Sequence, residues 1–105
     1  YNQVIIYDFK INEYSLYLPE SLIKNEVRTI TQGRSQILTN GDLFIGETNY
    51  GRTLYFNPDG SLRWTHVNRA DDGNVYMVGW SRILYTNKDV QTVNDFLTKR
   101  GTCYE

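Results

Sequence analysis

Apolar and polar positions alternate with a period of two along most of the chain, and with a helical period only near its end. Val4-Ile5-Ile6-Tyr7 is continuously apolar, the pattern of a strand buried on both faces. Tyr14, Leu16 and Leu18 alternate with Ser15 and Tyr17, as in a strand with one buried face. Pro19 ends that strand because proline has no N–H to give the ladder. Residues 4–18 therefore predict a hairpin turning at Lys10 to Glu13. The more polar stretch 20–33 reads as a connection with a short strand near Val27 to Ile30.

Residues 35–67 carry the clearest signals. Ser35 to Thr39 leads into Asn40-Gly41, and Leu43 to Glu47 leads out, the pattern of a tight hairpin. Thr53 to Phe56 and Leu62 to Val67 flank Asn57-Pro58-Asp59-Gly60, where Pro58 presets φ and Gly60 supplies a positive φ. Four short strands thus form a meander. After the polar segment Asn68 to Asn74, the run Val75 to Tyr85 predicts a further strand or pair. Val90, Val93, Phe96 and Leu97 then fall at helical spacing between an N-cap at Asn87 and a C-cap at Gly101. The fold class is mostly β: antiparallel four-stranded meanders with a short C-terminal α-helix.

A lone meander leaves edges and an apolar face uncovered. Radial packing of such meanders as propeller blades is one remedy, and blade repeats run about 40–50 residues. On this reading 1–19 is the hairpin of a preceding blade, 34–68 one complete blade, and 75–105 closing strands and the helix. A free-standing β-meander domain fits the same pattern equally well.

Composition narrows the function classes. The chain has 105 residues, enough for one small domain or a piece of a larger one, and it begins at Tyr1, which reads as a processed or excised chain. A net charge of −1 supplies no field to attract nucleic acid or an anionic membrane, and no apolar run is long enough to cross a bilayer as a helix. The single Cys103 excludes an internal disulfide and a multi-cysteine zinc site. No nucleophile elbow, phosphate loop, dinucleotide fingerprint or zincin motif occurs, so neither a metal nor a cofactor is expected. The cluster Asn68, Asp71, Asp72 and Asn74 lacks the spacing and the late Glu of a calcium loop and reads as an Asp-Gly turn.

Two side-chain types remain as candidate chemistry. Arg34, Arg52, Arg69 and Arg82 all stand beside turns or strand ends, and guanidinium groups suit bidentate binding of carboxylate, phosphate or sulfate. Arg52 and Arg82 are the foremost anion- or ligand-binding candidates, with Arg34, Arg69 and the lone histidine His66 behind them. The competing reading pairs these arginines with Glu47, Asp42, Asp71 and Asp72, or stacks them on tyrosines. Tyr14, Tyr17, Tyr50, Tyr55 and Tyr76 offer either a stacking platform or ordinary strand packing.

The run GRSQILTNGDLFIGETNYGRTLYFNPDGSLRWTHVN (33–68) resembles the arylsulfotransferase-like β-propeller family. The blade pattern is carried by Asn40-Gly41-Asp42, Leu43-Phe44-Ile45, Glu47, Asn49, Gly51-Arg52, Asp59-Gly60, Trp64 and Val67-Asn68. Residues 68–84 resemble the stretch that closes such chains. The resemblance implies transfer of sulfate between phenols without a nucleotide donor, through a sulfated histidine flanked by His and Arg. It implies a periplasmic or secreted setting, and Trp64 as an inter-blade contact. It carries no catalytic residue onto this chain, since His66 falls at a strand position of the blade. The partners it implies are the remainder of the chain's own propeller and a small phenolic or sulfated ligand. A non-catalytic ligand- or protein-binding module is the alternative, and self-association through exposed sheet edges is expected of either.

Overall fold

A computed structural model describes residues 1–101, so Cys103 lies outside the described residues. Strands β1 (Val4–Asp8) and β2 (Glu13–Tyr17) form an antiparallel hairpin, with Val4 opposite Tyr17 and Asp8 opposite Glu13. Asn12 turns it at φ 59°, a left-handed conformation that asparagine tolerates. Leu18, also left-handed, bends the chain out of β2 into helix α1 (Pro19–Lys24), where Pro19 occupies the first turn.

A four-stranded antiparallel meander follows in the order β3 (Arg34–Ile37), β4 (Leu43–Glu47), β5 (Arg52–Phe56) and β6 (Leu62–Val67). Its turns are those the dipeptides predict. Gly41 stands at φ +90°, and its N–H donates to the Leu38 carbonyl at 2.9 Å. The β5–β6 register slips between Tyr55 and Phe56, a bulge beside the Asp59-Gly60 turn. The fold is therefore mostly β, as two antiparallel sheets of two and four strands with a C-terminal helix.

Alternation along β4 and β5 divides the side chains between the two faces of the larger sheet. Leu43, Ile45, Leu54 and Phe56 share one face with Leu22 of α1 and Val27, and Val4, Tyr17 and Leu18 cover them. On the opposite face Leu38, Phe44 and Tyr55 form a smaller cluster against which Ile83 packs. Because both faces of β4 and β5 are covered, those strands are buried nearly throughout.

Three regions depart from the periodicity. Strand β1 forms, but Ile5 is 60% exposed and Phe9 at its turn 88%, since among the described residues only β2 pairs with it. Helix α1 (Pro19–Lys24) occupies the start of the connection, and no strand forms at Val27 to Ile30. The run Val75 to Tyr85 forms no strand: Val75 makes an isolated bridge to Arg69, and 76–85 pair with no strand among the described residues. An apolar alternation becomes a strand only where a neighbouring strand takes up its N–H and C=O groups.

Helix α2 (Asn87–Arg100) is stopped at Gly101 as the sequence suggests. Its N-cap is Thr86 rather than Asn87: the Thr86 hydroxyl accepts from the Asp89 N–H at 3.1 Å, and Asp89 reaches back to the Thr86 N–H. None of its residues is buried, and Phe96 and Leu97 stand about 60% exposed. The radius of gyration, 16.4 Å, exceeds the roughly 13 Å of a compact domain this long.

Stability should track this burial. Leu54→Ala is expected to lower the unfolding free energy by about 3 kcal/mol, whereas Phe96→Ala on the exposed helix changes it by less than about 0.5 kcal/mol. Urea unfolding followed by circular dichroism measures both, and similar costs at the two positions would refute this placement of the core.

Candidate functional site

Arg52, the foremost anion-binding candidate, is committed to the scaffold. It pairs across β4 and β5 with Glu47, whose side chain is 1% exposed, while 30% of the Arg52 side chain meets solvent. Arg52 Nε donates to Glu47 Oε2, and Nη2 donates to Oε1 at 2.8 Å, a bidentate fork. Nη2 also donates to the Asn25 carbonyl at 3.1 Å, and Glu47 Oε1 accepts the Arg28 N–H at 2.8 Å. The Glu47 hydrogen bond, foremost, and its charge hold the Arg52 pKa above the usual guanidinium value against the effect of burial. The pair thereby anchors residues 25–28, which precede the meander, to the turn end of β4 and β5.

Asn49 extends the same clamp by one turn. Its Oδ1 accepts the consecutive backbone N–H groups of Ile30, Thr31 and Gln32 at 3.0–3.1 Å, and the Thr29 hydroxyl at 2.9 Å. Successive amides converging on one oxygen make a nest, here filled by a side chain. Gly51, left-handed at φ +60°, turns the chain into β5, and a Cβ there would collide with the Tyr76 carbonyl oxygen. Asn68 holds the outgoing chain, since its Nδ2 donates to the Tyr76 carbonyl at 3.1 Å and its own carbonyl accepts the Tyr76 N–H at 3.0 Å. The Glu-x-Asn-x-Gly-Arg pattern is thus a set of staples for the segments before and after the meander.

A second polar cluster lies on the opposite face. Asp42 is 1% exposed, and its Oδ2 accepts the Tyr55 hydroxyl at 2.6 Å with Arg63 Nη1 at 3.4 Å. The Tyr55 hydrogen bond, above all, holds the Asp42 carboxyl below the usual carboxylate range. Burial, then the Asp42 hydrogen bond and charge, push the Tyr55 phenol up to about 12. Trp64 stacks on Tyr55 with centroids 5.4 Å apart and remains 39% exposed.

The other candidates separate. Arg34 and Arg82 line one groove of about 370 Å³ with Ser35, Gln36, Asp89 and Thr92. Neither arginine forms an ion pair among the described residues, and Asp89 is engaged in capping α2. The Arg34 guanidinium lies 5.5 Å from the ring centre of Trp80, which is 78% exposed. Arg34 also borders a cavity of about 260 Å³ where Gln3 Oε1 is buried with no hydrogen-bond partner. Arg69 donates to the Gly73 carbonyl at 2.7 Å and so closes its own loop. In that loop Asp72 accepts from the Asn74 N–H and the Tyr76 hydroxyl, the bonds of a polar turn. His66 stands exposed on β6 opposite Thr53, away from the groove's lining.

Of the five tyrosines, Tyr14 and Tyr76 are at least half exposed, but Tyr55 is buried and the Tyr17 hydroxyl donates to the Gly41 carbonyl at 2.5 Å. They form no common platform. Trp80 and Gln36 carry no local sequence signal for this groove, because their contacts to Arg34 and Ile83 span more than forty residues and exist only in the fold.

A family model described as Arylsulfotransferase (ASST) matches residues 1–69, thus covering the first hairpin as well as the meander and stopping before the 70–84 stretch. No curated protein and no solved structure matches the chain.

Arg52→Ala should cost about 2–3 kcal/mol, below the value for a fully buried pair because Arg52 is partly wetted; Glu47→Gln should also destabilise, and a double-mutant cycle would show strong coupling. A cycle that sums to zero would remove the pair from its central place.

The sign of the pH dependence follows from the shifts. Asp42, with a lowered pKa, contributes stability above about pH 4 that is lost as pH falls through its folded value. Tyr55, raised to about 12, contributes stability below about pH 10 that is lost as pH climbs toward 12. Tyr55→Phe should flatten the alkaline fall in the urea midpoint relative to the parent chain, and an unchanged alkaline slope would contradict the assignment.

Proposed function

The chain belongs to the arylsulfotransferase (ASST) family, and from that membership we propose that it is a blade-bearing part of a propeller protein that moves sulfate between phenols. In this role residues 34–68 supply scaffold, and the groove at Arg34 and Arg82 holds an aromatic oxyanion. The observation that carries the reading is that two guanidinium groups line one groove without an ion-paired carboxylate among the described residues. Cations lining a groove favour an anion there, and the planar fork of arginine fits the oxygens of a sulfate ester. The exposed Trp80 ring beside Arg34 offers a face for the aryl group.

Transfer itself needs a histidine nucleophile with acid–base partners, and His66 is the one histidine present. It stands exposed on β6 and forms no hydrogen bond through its ring among the described residues. The nucleophile is therefore assigned to polypeptide other than these 105 residues, and the fragment alone is inactive. The solitary His66 also favours the second reading, a non-catalytic ligand-binding module built on the same scaffold.

Nuclear magnetic resonance titration of this chain with phenyl sulfate tests the groove. Shifts should gather at Arg34, Arg82 and the Trp80 indole, and Arg82→Ala should weaken binding about tenfold, the loss of one charge-assisted hydrogen bond. Absence of binding, or binding indifferent to Arg82, would reject the groove. Mass spectrometry of the full-length protein incubated with an aryl sulfate separates transferase from binding module: a sulfated histidine supports the first, and its absence with retained binding supports the second.

A further inference from the structure

Asn40 is the one asparagine of the sequence followed by glycine, and every other one precedes a residue that carries a Cβ. Glycine leaves its own amide nitrogen unshielded, so that nitrogen can approach the preceding side-chain carbonyl carbon. Asn40 is also exposed to water, in the turn between β3 and β4.

Four hydrogen bonds hold this dipeptide still. The Gly41 N–H donates to the Leu38 carbonyl at 2.9 Å, and the Leu38 N–H to the Asp42 carbonyl at 2.8 Å. Asn40 Oδ1 accepts the Asp42 N–H at 3.0 Å, which fixes the carboxamide itself. The fourth bond comes from the first hairpin, where the Tyr17 hydroxyl at the end of β2 donates to the Gly41 carbonyl at 2.5 Å. Gly41 is thus held through both of its peptide units. Rotation that brings its nitrogen onto Asn40 Cγ strains or breaks these bonds.

We infer that Asn40 is a site of spontaneous deamidation, gated by opening of the Asn40-Gly41 turn, with the Tyr17 hydroxyl as the clasp. The Gly41 nitrogen attacks Asn40 Cγ, and the Cγ–Nδ2 bond breaks as the new N–Cγ bond forms. The Gly41 amide proton passes through solvent to the departing nitrogen, which leaves as ammonia. Water then opens the cyclic imide. Cleavage at Cγ gives aspartate, and cleavage at the main-chain carbonyl carbon gives isoaspartate. The net change is uptake of water and release of ammonia, with no oxidation or reduction. The inference rests on the turn and is independent of the sulfate-transfer reading.

The two Asp-Gly turns do not compete. The same attack on aspartate needs a neutral carboxyl, and the Ser61 hydroxyl bonded to Asp59 holds that carboxyl below the usual range. The Tyr76 hydroxyl, foremost, does so for Asp72. At Asn40 the isoaspartyl product routes the main chain through the former side-chain carbon and adds a methylene between Leu38 and Asp42. The bonds that close the turn then lose their register beside the Leu38–Phe44–Tyr55 cluster.

Ageing of the 105-residue chain at mildly alkaline pH, followed by peptide mapping with mass spectrometry, is the test. Asn40 should convert ahead of every other asparagine, and about tenfold or more faster in urea-unfolded chain than in folded chain. Tyr17→Phe keeps the ring and removes only the hydroxyl. It should speed conversion of the folded chain about fivefold, the loss of one hydrogen bond, and leave the rate in urea unchanged. The parent chain in low urea carries the test without the variant, since conversion should climb in step with amide exchange at Gly41. Another asparagine leading, equal rates in folded and unfolded chain, or Tyr17→Phe converting at the parent rate would overturn the inference. An isolated isoaspartyl form with the parent's amide exchange at Leu38 would overturn its consequence for the fold.

Discussion

Everything in the larger sheet depends on keeping the Glu47 carboxylate satisfied where water does not reach it. A carboxylate at 1% exposure is costly to bury unless it is hydrogen-bonded and its charge is matched. Arg52 supplies both from the adjacent strand, and the Arg28 N–H supplies the rest from the incoming chain. The geometry links the incoming chain at Asn25 and Arg28 to the β4–β5 hairpin, 19 to 27 residues on, at one point. Asn49 then fixes the next residues of that incoming chain, and Asn68 fixes the outgoing one. With its ends tied, the meander can bury Leu43, Ile45, Leu54 and Phe56 on one face and seat Ile83 on the other.

That economy reassigns chemistry. Arg52 has the residue type of an anion site, but its fork is closed on Glu47. Among the described residues Arg34 and Arg82 share a groove without an ion-paired carboxylate, and Arg34 stands against the Trp80 ring beside it.

Legibility followed the range of the interaction that decides each feature. Asn40-Gly41, Asp59-Gly60 and the α2 stripe are local signals, and each formed as written. The N-cap moved one residue to Thr86 because the reciprocal bond with Asp89 outcompetes a lone Asn87. Val4 to Tyr7 and Val75 to Tyr85 have the composition of buried strands, yet burial depends on neighbours that no local pattern reveals. The choice between a ligand and Glu47 for Arg52 was equally hidden, because it rests on register: Glu47 and Arg52 are an opposed pair on one face.

The Glu-x-Asn-x-Gly-Arg pattern staples incoming backbone through Glu47, Asn49 and Arg52. Residue-resolved amide exchange of Ile30, Thr31 and Gln32 in the parent chain and in Asn49→Ala tests it most directly. All three protons end on the one Asn49 oxygen, so the substitution should speed their exchange together by about tenfold or more while β4 and β5 stay protected. Exchange at 30–32 that does not respond to the loss of Asn49 would contradict the account.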